Sequence, residues 1–157
     1  MAIKNGLFRQ VFNIYYGIFQ GSVKFDGGEF NQGLTIGGGE FYEEINIMGG
    51  IFKGGISNQG KIIKALYIFE GEFQSDVIIS GGEFKGGLQV DGGSFYNKFN
   101  VTNGNFEQDF LVSKGIFRSQ FRVEGGEFND SFRVLGGNFQ HWFNITTCSP
   151  NAVSYYW

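Results

Sequence analysis

The chain has 157 residues, including 27 glycines, 20 phenylalanines and a single proline, and its net charge is −3 at pH 7. The length fits one domain, and the abundant large apolar residues exclude a disordered chain, while glycine with so little proline excludes collagen. Interspersed acids and bases argue against a nucleic-acid phosphate binder, which would show a basic face. The single cysteine, Cys148, excludes an intrachain disulfide.

A three-residue motif, Gly-x-Phe, recurs at every eleventh position through almost the whole chain. It first ends at Phe8 and last at Phe139. The one missing step is filled by Gly60-Lys61-Ile62, where the preceding unit is one residue short. The chain therefore holds 13 registers of the motif. A period of this length predicts one structural unit stacked on itself.

Each unit also carries an alternating segment, in which the fourth and sixth residues after the Phe are apolar and the fifth is usually polar. Val23-Lys24-Phe25 is an example, and only Asn58, in the short unit, breaks the rule at the sixth position. Alternation predicts a short strand with one buried face, so each unit holds two such strands. Gly-Gly pairs such as Gly27-Gly28 predict corners with positive φ and room beside the Phe ring.

The predicted fold is an all-β, single-domain β-solenoid of 11-residue units with a Phe-rich core. A second similarity links every third unit, as in Phe52-Lys-Gly-Gly-Ile and Phe84-Lys-Gly-Gly-Leu. We interpret it as three units, about 33 residues, per coil, which predicts a triangular cross-section and just over four coils. Two alternatives stay open: the three-unit period is only the length duplicated in the gene, or three chains intertwine and each contributes one unit per layer.

The two ends of the chain fall outside the regular repeat. We expect residues 1–7 to form an N-terminal cap, 8–146 the solenoid and 147–157 a C-terminal capping tail. Pro150 is expected to end strand pairing, because proline lacks a backbone N–H. The last three residues, Tyr155, Tyr156 and Trp157, are expected to fold over the last coil, and the alternative is a docking peptide.

With three units per coil, outward residues of every third unit would stack into ladders. A basic ladder (Lys53, Lys85, Arg118) would lie beside an apolar one (Ile18, Ile51, Ile116). Exposed apolar residues beside bases predict an interaction strip, since contiguous apolar surface usually marks an interface. The alternative is that the lysine stems simply cover the isoleucines.

An acidic ladder of Glu44, Asp76 and Asp109 would stack in the same way. Clustered carboxylates could bind a cation or raise the pKa of one member enough for a general acid. We favour the alternative, a solvated corner with splayed carboxylates. The sole histidine, His141, excludes a site with several histidines, and the Gly-Gly pairs lack the helix and the lysine of a phosphate loop. We predict no catalytic residue, metal or cofactor.

The inward pair of a small residue and a Phe two positions later, as in Gly82-Glu83-Phe84, resembles the pentapeptide-repeat solenoids. The step of 11 departs from their step of five, so the resemblance implies no function for this chain. The bactofilin-like solenoids that form polymers are a looser analogy without a shared motif.

We expect a non-catalytic structural protein, a self-assembling or scaffolding solenoid whose partner is another copy of itself. The alternative is a glycan-binding or surface-binding module of a viral fibre or adhesin, using aromatic residues such as Tyr42, Tyr67, Tyr96 and Trp142. A glycan-cleaving enzyme relying on the acidic ladder is a third hypothesis. Neither a bilayer-spanning apolar run nor a signal peptide is visible, which fits a cytoplasmic, a virion-associated or a processed exported protein.

Overall fold

The computed structural model describes residues 1–62, 64–146 and 149–156, with side chains described through residue 146. The described residues form 27 short strands joined by tight turns, and no helix. Every strand pairing is parallel, so successive coils run in the same direction. The predicted all-β solenoid is therefore confirmed.

The strands stack into four ladders, one for each side of the coil. Ladder 1 holds the Gly-x-Phe strands of alternate units: β2 (Leu7–Phe8), β6 (Glu29–Phe30), β10 (Ile51–Phe52), β14 (Glu72–Phe73), β18 (Ser94–Phe95), β22 (Ile116–Phe117) and β25 (Asn138–Phe139). Ladder 2 follows it in each coil: β3 (Phe12–Tyr15), β7 (Leu34–Gly37), β11 (Ile56–Asn58), β15 (Val77–Ser80), β19 (Phe99–Thr102), β23 (Phe121–Glu124) and β26 (Phe143–Thr146).

The other two ladders complete the coil. Ladder 3 holds β4 (Ile18–Phe19), β8 (Glu40–Phe41), β12 (Lys61–Ile62), β16 (Glu83–Phe84), β20 (Asn105–Phe106) and the start of β24 (Glu127–Leu135). Ladder 4 holds β1 (Ala2–Lys4), β5 (Val23–Asp26), β9 (Ile45–Met48), β13 (Leu66–Phe69), β17 (Leu88–Asp91), β21 (Phe110–Ser113) and the end of β24. The last strand, β27 (Ser149–Tyr156), pairs along the whole of β24 and so extends both ladders.

The register shows that one coil contains two units. Paired residues in adjacent coils, such as Ser80 and Thr102, are separated by 22 positions in the chain. In the same way Phe30 pairs with Phe52, and Phe95 pairs with Phe117. Across the short unit the step is one residue less, as from Phe52 to Phe73. The solenoid makes about seven turns, and at about 4.8 Å per coil it is roughly 30 Å tall.

The expected coil of three units and the expected total of just over four coils are therefore wrong, and the triangular cross-section loses the period from which it was predicted. Residues three units apart, such as Phe52 and Phe84, lie in ladder 1 and ladder 3, on different sides of the body. The sequence similarity between every third unit involves outward and corner residues that are not neighbours in the structure. The two-unit period was hidden because both halves of the coil fill their inward positions with the same few residue types, Phe, Ile, Leu and Val.

The core consists of stacked Phe rings. In ladder 1 the rings run from Phe8 to Phe139 with centroids 4.6–5.2 Å apart and planes within 12° of parallel. Rings of ladder 2 meet them edge-on, as Phe99 meets Phe95 at 5.2 Å and 87°. Such aromatic pairs contribute about 0.5–1.5 kcal/mol each beyond the burial of their area. The predicted Phe-rich core is confirmed.

The corner that precedes each Phe strand requires left-handed backbone. At Gly27 and Gly28 the φ angles are 70° and 97°. A Cβ on Gly28 would also lie 3.0 Å from the carbonyl oxygen of Gly6 in the neighbouring coil, so glycine is needed for close approach as well. Where the first residue of this corner is not glycine, another residue takes the positive φ: Asn5, Tyr16, Glu70, Asn103 and Lys114. The predicted role of the Gly-Gly pairs is confirmed.

The short unit has its own corner device. Asn58 is fully buried between Ile36 and Ile79 of the adjacent coils. Its Oδ1 accepts a hydrogen bond from the N–H of Gly60 at 3.3 Å, which closes a corner that is one residue shorter than the others. An asparagine side chain can replace a missing piece of backbone turn in this way. The exception in the apolar pattern is therefore a consequence of the missing residue.

The tail continues the sheet. Strand β27 pairs with β24 from Ser149 opposite Glu127 to Tyr156 opposite Leu135, with an irregularity between Phe128 and Ser131. The expectation that Pro150 ends pairing is wrong, because Pro150 lies opposite Phe128 within that strand. A proline is tolerated there since β27 is an edge strand, whose other side needs no donor.

Candidate functional site

The residues of the predicted interaction strip lie on different sides of the solenoid. Ile51 and Ile116 both belong to ladder 1 but are separated by Glu72 and Ser94. Ile18 belongs to ladder 3, where its neighbour is Glu40. The three isoleucines therefore form no continuous apolar row.

The three basic residues of that strip are also apart. Lys53 and Arg118 follow ladder 1 three coils from each other, and Lys85 follows ladder 3. The Lys53 ammonium lies 2.5 Å from a carboxylate oxygen of Glu29. The predicted basic row is thus replaced by isolated cations with different neighbours.

The acidic ladder is not formed either. Glu44 and Asp109 precede ladder 4 three coils apart, whereas Asp76 precedes ladder 2 on another corner. The Asp109 carboxylate accepts hydrogen bonds from Ser131 and Arg133. Among the residues that the structure describes, no three His, Cys, Asp or Glu side chains are grouped to hold a metal ion. The carboxylate pairing on which a glycan-cleaving mechanism depended is absent from these three residues.

The predicted tail residues are only partly described. Tyr155 and Tyr156 pair through their backbones with Val134 and Leu135 of β24. Trp157 lies outside the described residues.

The first coil carries a concentration of exposed apolar side chains, which we call the first-coil surface. Six of the eleven exposed large apolar residues in the described part of the chain belong to it: Met1, Leu7, Val11, Tyr15, Tyr16 and Ile18. Tyr16 is 85% exposed and Ile18 is 67% exposed. Single exposed apolar residues are normal for a protein surface, but here more than half of them fall in one of about seven coils.

The same coil leaves its core rings open on one face. Phe8, Phe12 and Phe19 are only partly buried, whereas Phe30 and Phe41 in the next coil are fully buried. Residues 1–22, which precede the strand that pairs with β1 from the next coil, contain two cations, Lys4 and Arg9, and no acid. The first coil is therefore apolar and mildly basic.

A second feature lies at the other end of the body, in the corner between ladders 1 and 2. Three consecutive coils supply a groove of about 460 Å³, which we call the aromatic-basic groove: Tyr96, Lys98, Arg118, Ser119, Gln120, His141 and Trp142. Trp142 is 77% exposed and Tyr96 is 41% exposed. Its lining combines aromatic rings, cations and neutral polar groups without a carboxylate.

The two cations of this groove, Arg118 and Lys98, have no acidic partner among the side chains that the structure describes. The Arg118 guanidinium lies over the Tyr96 ring, 5.0 Å from its centroid. The Lys98 backbone N–H donates to a carboxylate oxygen of Asp76 at 3.1 Å, which fixes the backbone at one edge of the groove. Within the described ranges, neither the Lys98 nor the Arg118 side chain forms an ion pair.

Sequence reasoning named two residues of the groove, Tyr96 and Trp142, as separate surface aromatics. The other two aromatics of that set lie elsewhere: the Tyr42 hydroxyl donates to Glu40, and Tyr67 stacks on Phe69. Aligning the sequence with a repeat of two units places the Tyr96–Lys98 segment beside Arg118–Gln120 and Gln140–Trp142. The groove could therefore have been found from the sequence only with the correct number of units per coil.

Shifted pKa values lie outside both features. The pKa of Lys61 is raised because its ammonium hydrogen-bonds the Glu83 carboxylate and is attracted by its charge. The pKa of Lys64 is raised by Glu43 in the same way. These are exposed ion pairs on the side of the body and indicate no reactive group.

Comparisons with known proteins give no family: no family model, curated protein or solved structure matches the chain. A helix long and apolar enough to cross a bilayer does not occur in the described part of the chain.

Proposed function

We propose that the protein is a non-catalytic structural solenoid that assembles end to end with further copies of itself through its first coil. The observation that carries this proposal is the first-coil surface, with six of the eleven exposed large apolar residues in one coil. The proposed assembly requires no cofactor, no nucleic acid and no membrane-spanning segment.

The geometry of the ladders supports stacking as the mode of assembly. The ladder-1 stack begins at Phe8, whose ring is only partly buried in the first coil. Ile145 of ladder 2 is likewise only partly buried in the last coil. A second copy placed head to tail would continue these stacks at the usual coil spacing, and such a contact generates an open filament.

One terminal strand must give way in a seamless stack. The ladder-4 strand that comes just before Phe8 along the chain is β1, which contains Ile3. The ladder-4 strand that comes just after Phe139 is β27, which contains Tyr155. If Phe8 of one copy follows Phe139 of another, Ile3 and Tyr155 occupy the same position. We propose that β1 is displaced, because it pairs through three residues whereas β27 pairs through seven.

We also propose that the 11-residue unit is the building element of the solenoid, with each unit forming one half of a coil. The support is the register, in which successive Phe residues alternate between ladder 1 and ladder 3.

The assembly is tested by native mass and particle shape in solution. We expect the wild-type protein to form elongated particles whose mass rises with concentration. The double variant Leu7→Lys/Ile18→Lys should be a monomer, because two exposed apolar contacts become charged. Ile78→Lys is the matched control, since Ile78 is an exposed apolar residue of a central coil. A monodisperse wild-type monomer at high concentration would remove the proposal.

A further inference from the structure

We propose that the aromatic-basic groove binds a short segment of an acidic polysaccharide, one that carries carboxylate or sulfate groups. This inference does not depend on end-to-end assembly, because the groove lies on the side of the last three coils.

The register arranges the groove as a regular grid. Phe95, Phe117 and Phe139 are aligned in ladder 1, and Phe99, Phe121 and Phe143 are aligned in ladder 2. The corner segments between them therefore align residue by residue: Tyr96–Lys98, Arg118–Gln120 and Gln140–Trp142. Their spacing is that of the coils, about 4.8 Å. A linear chain of sugar rings lying along the solenoid axis would meet one corner segment after another.

Trp142 supplies the platform for a sugar ring. It is the more exposed of the two aromatics, and no described ring stacks on it. Sugar rings have an apolar face of C–H groups, and a large amphipathic aromatic gives such a face contact area at low entropic cost. Ser119 and Gln120, which line the same groove, can exchange hydrogen bonds with sugar hydroxyls.

Arg118 and Lys98 select an acidic sugar over a neutral one. Arginine binds carboxylate and sulfate through two parallel hydrogen bonds, and these are among the stronger hydrogen bonds in proteins. Tyr96 holds the Arg118 guanidinium in place before any ligand arrives. Because neither cation has an acidic partner in the described part of the chain, binding need not break an existing ion pair.

The surroundings limit the ligand to a few sugars and argue against a nucleic acid. Asp76 occupies the corner position one coil before Lys98, so a longer polyanion would meet a carboxylate there. The whole chain has a net charge of −3, opposite to the basic face that phosphate-backbone binding requires.

The test is calorimetric titration with four probes of similar length: oligogalacturonate, a sulfated dextran oligosaccharide, neutral dextran and single-stranded oligo-dT. We expect at least one acidic sugar to bind at least tenfold more tightly than neutral dextran and oligo-dT. Arg118→Ala should weaken that binding roughly tenfold or more, the size of one lost charged contact. Trp142→Ala should weaken it as well, since the stacking platform is lost.

The matched controls are Lys53→Ala, which removes the cation that corresponds to Arg118 three coils earlier, and Tyr42→Ala, an exposed aromatic outside the groove. Both should bind the acidic sugar like wild type. Carboxylated and sulfated sugars differ only in which anion the groove prefers, and binding of either one supports the proposal. Absence of binding by both, equal binding of neutral dextran, tighter binding of oligo-dT, or unchanged affinity of Arg118→Ala would overturn it. Far-ultraviolet circular dichroism of each variant verifies the fold, and because Arg118 and Trp142 are exposed, their replacement should leave it intact.

Discussion

The first coil and the central coils are built from the same inward residues but present different surfaces. In the centre, Phe73 is fully buried between Phe52 and Phe95. In the first coil, Phe8 has one stacking partner in its ladder, Phe30, and remains partly exposed. Two outward positions also change from the first coil to the next, where Leu7 pairs with Glu29 and Ile18 pairs with Glu40.

The difference teaches that position along the axis, and not residue type, decides what a repeated residue does. A ring in a ladder is buried by its neighbours above and below, so only the ends of a ladder keep apolar area for another molecule. Central coils contribute stability, and we propose that the first coil contributes contact surface.

The strongest test of this division compares two equal truncations. Phe73→Ala should lower the free energy of unfolding by about 3–5 kcal/mol, because it opens a cavity in a closed stack. Phe8→Ala should cost less than about 2 kcal/mol, since its ring is only partly buried and the site can relax. Urea unfolding followed by circular dichroism measures both. Equal losses would show that the first coil is as enclosed as the centre.

Ile3 of one copy and Tyr155 of another would occupy the same ladder-4 position in a stack, which gives a second test. Removing residues 1–5 leaves that position to β27, so we expect longer assemblies than the wild type forms. Removing residues 149–157 should have the weaker effect, because β1 is the strand that we expect to be displaced. Sedimentation velocity at matched concentrations compares the three proteins. Loss of assembly after removal of residues 1–5 would mean that β1 is itself part of the contact.

The short corner provides a test within the centre. Asn58→Ile removes the acceptor for the buried Gly60 N–H in the ten-residue unit. The same change combined with one glycine inserted after position 58 restores the regular corner, where isoleucine fits the ladder of Ile36 and Ile79. We therefore expect Asn58→Ile to lower the free energy of unfolding less in the lengthened corner than in the native short corner. The expected coupling energy between the two changes is about 1–2 kcal/mol. Independent effects of the two changes would contradict the role assigned to Asn58.

The smallest expected effect concerns the exposed ion pair of Lys61 and Glu83, whose contribution to the free energy of unfolding depends on pH. The pKa of Lys61 is raised by its bond to Glu83, so the pair stabilises the fold below the ordinary lysine pKa of about 10.4. The stabilisation is lost as the pH rises through the raised value. Unfolding of wild type and Glu83→Gln should therefore differ slightly at pH 8 and converge at strongly alkaline pH. A difference that grows with pH would reverse the assigned sign.

Much of the fold follows from the sequence for physical reasons. Alternation around segments such as Val23-Lys24-Phe25 fixes which face is inward, and the Gly-Gly corners fix where the chain turns. The number of units per coil does not follow, because Phe30 and Phe41 occupy equivalent inward positions on opposite halves of one coil. No property of either residue tells which ladder it will join.

The candidate sites were less accessible to sequence reasoning for the same cause. Tyr96 and Trp142 are far apart in the chain, and only the two-unit register brings their segments into one corner. Conversely, Lys53 and Lys85 look alike in sequence and lie on different sides. An error in the length of the coil therefore displaces every inferred surface while leaving the core assignment intact.

The two-unit coil is the central claim, because the first coil and the groove both depend on it, and disulfide formation tests it directly. In a Cys148→Ser background, Thr35→Cys/Ser57→Cys places two cysteines at directly paired positions of ladder 2, within the Cα separation that a disulfide allows. Thr35→Cys/Tyr67→Cys places them three units apart, in ladder 2 and ladder 4. We predict that mild oxidation, followed by peptide mass mapping, finds an intrachain disulfide in the first variant and none in the second. A disulfide in the second variant and none in the first would contradict the account and restore the three-unit coil.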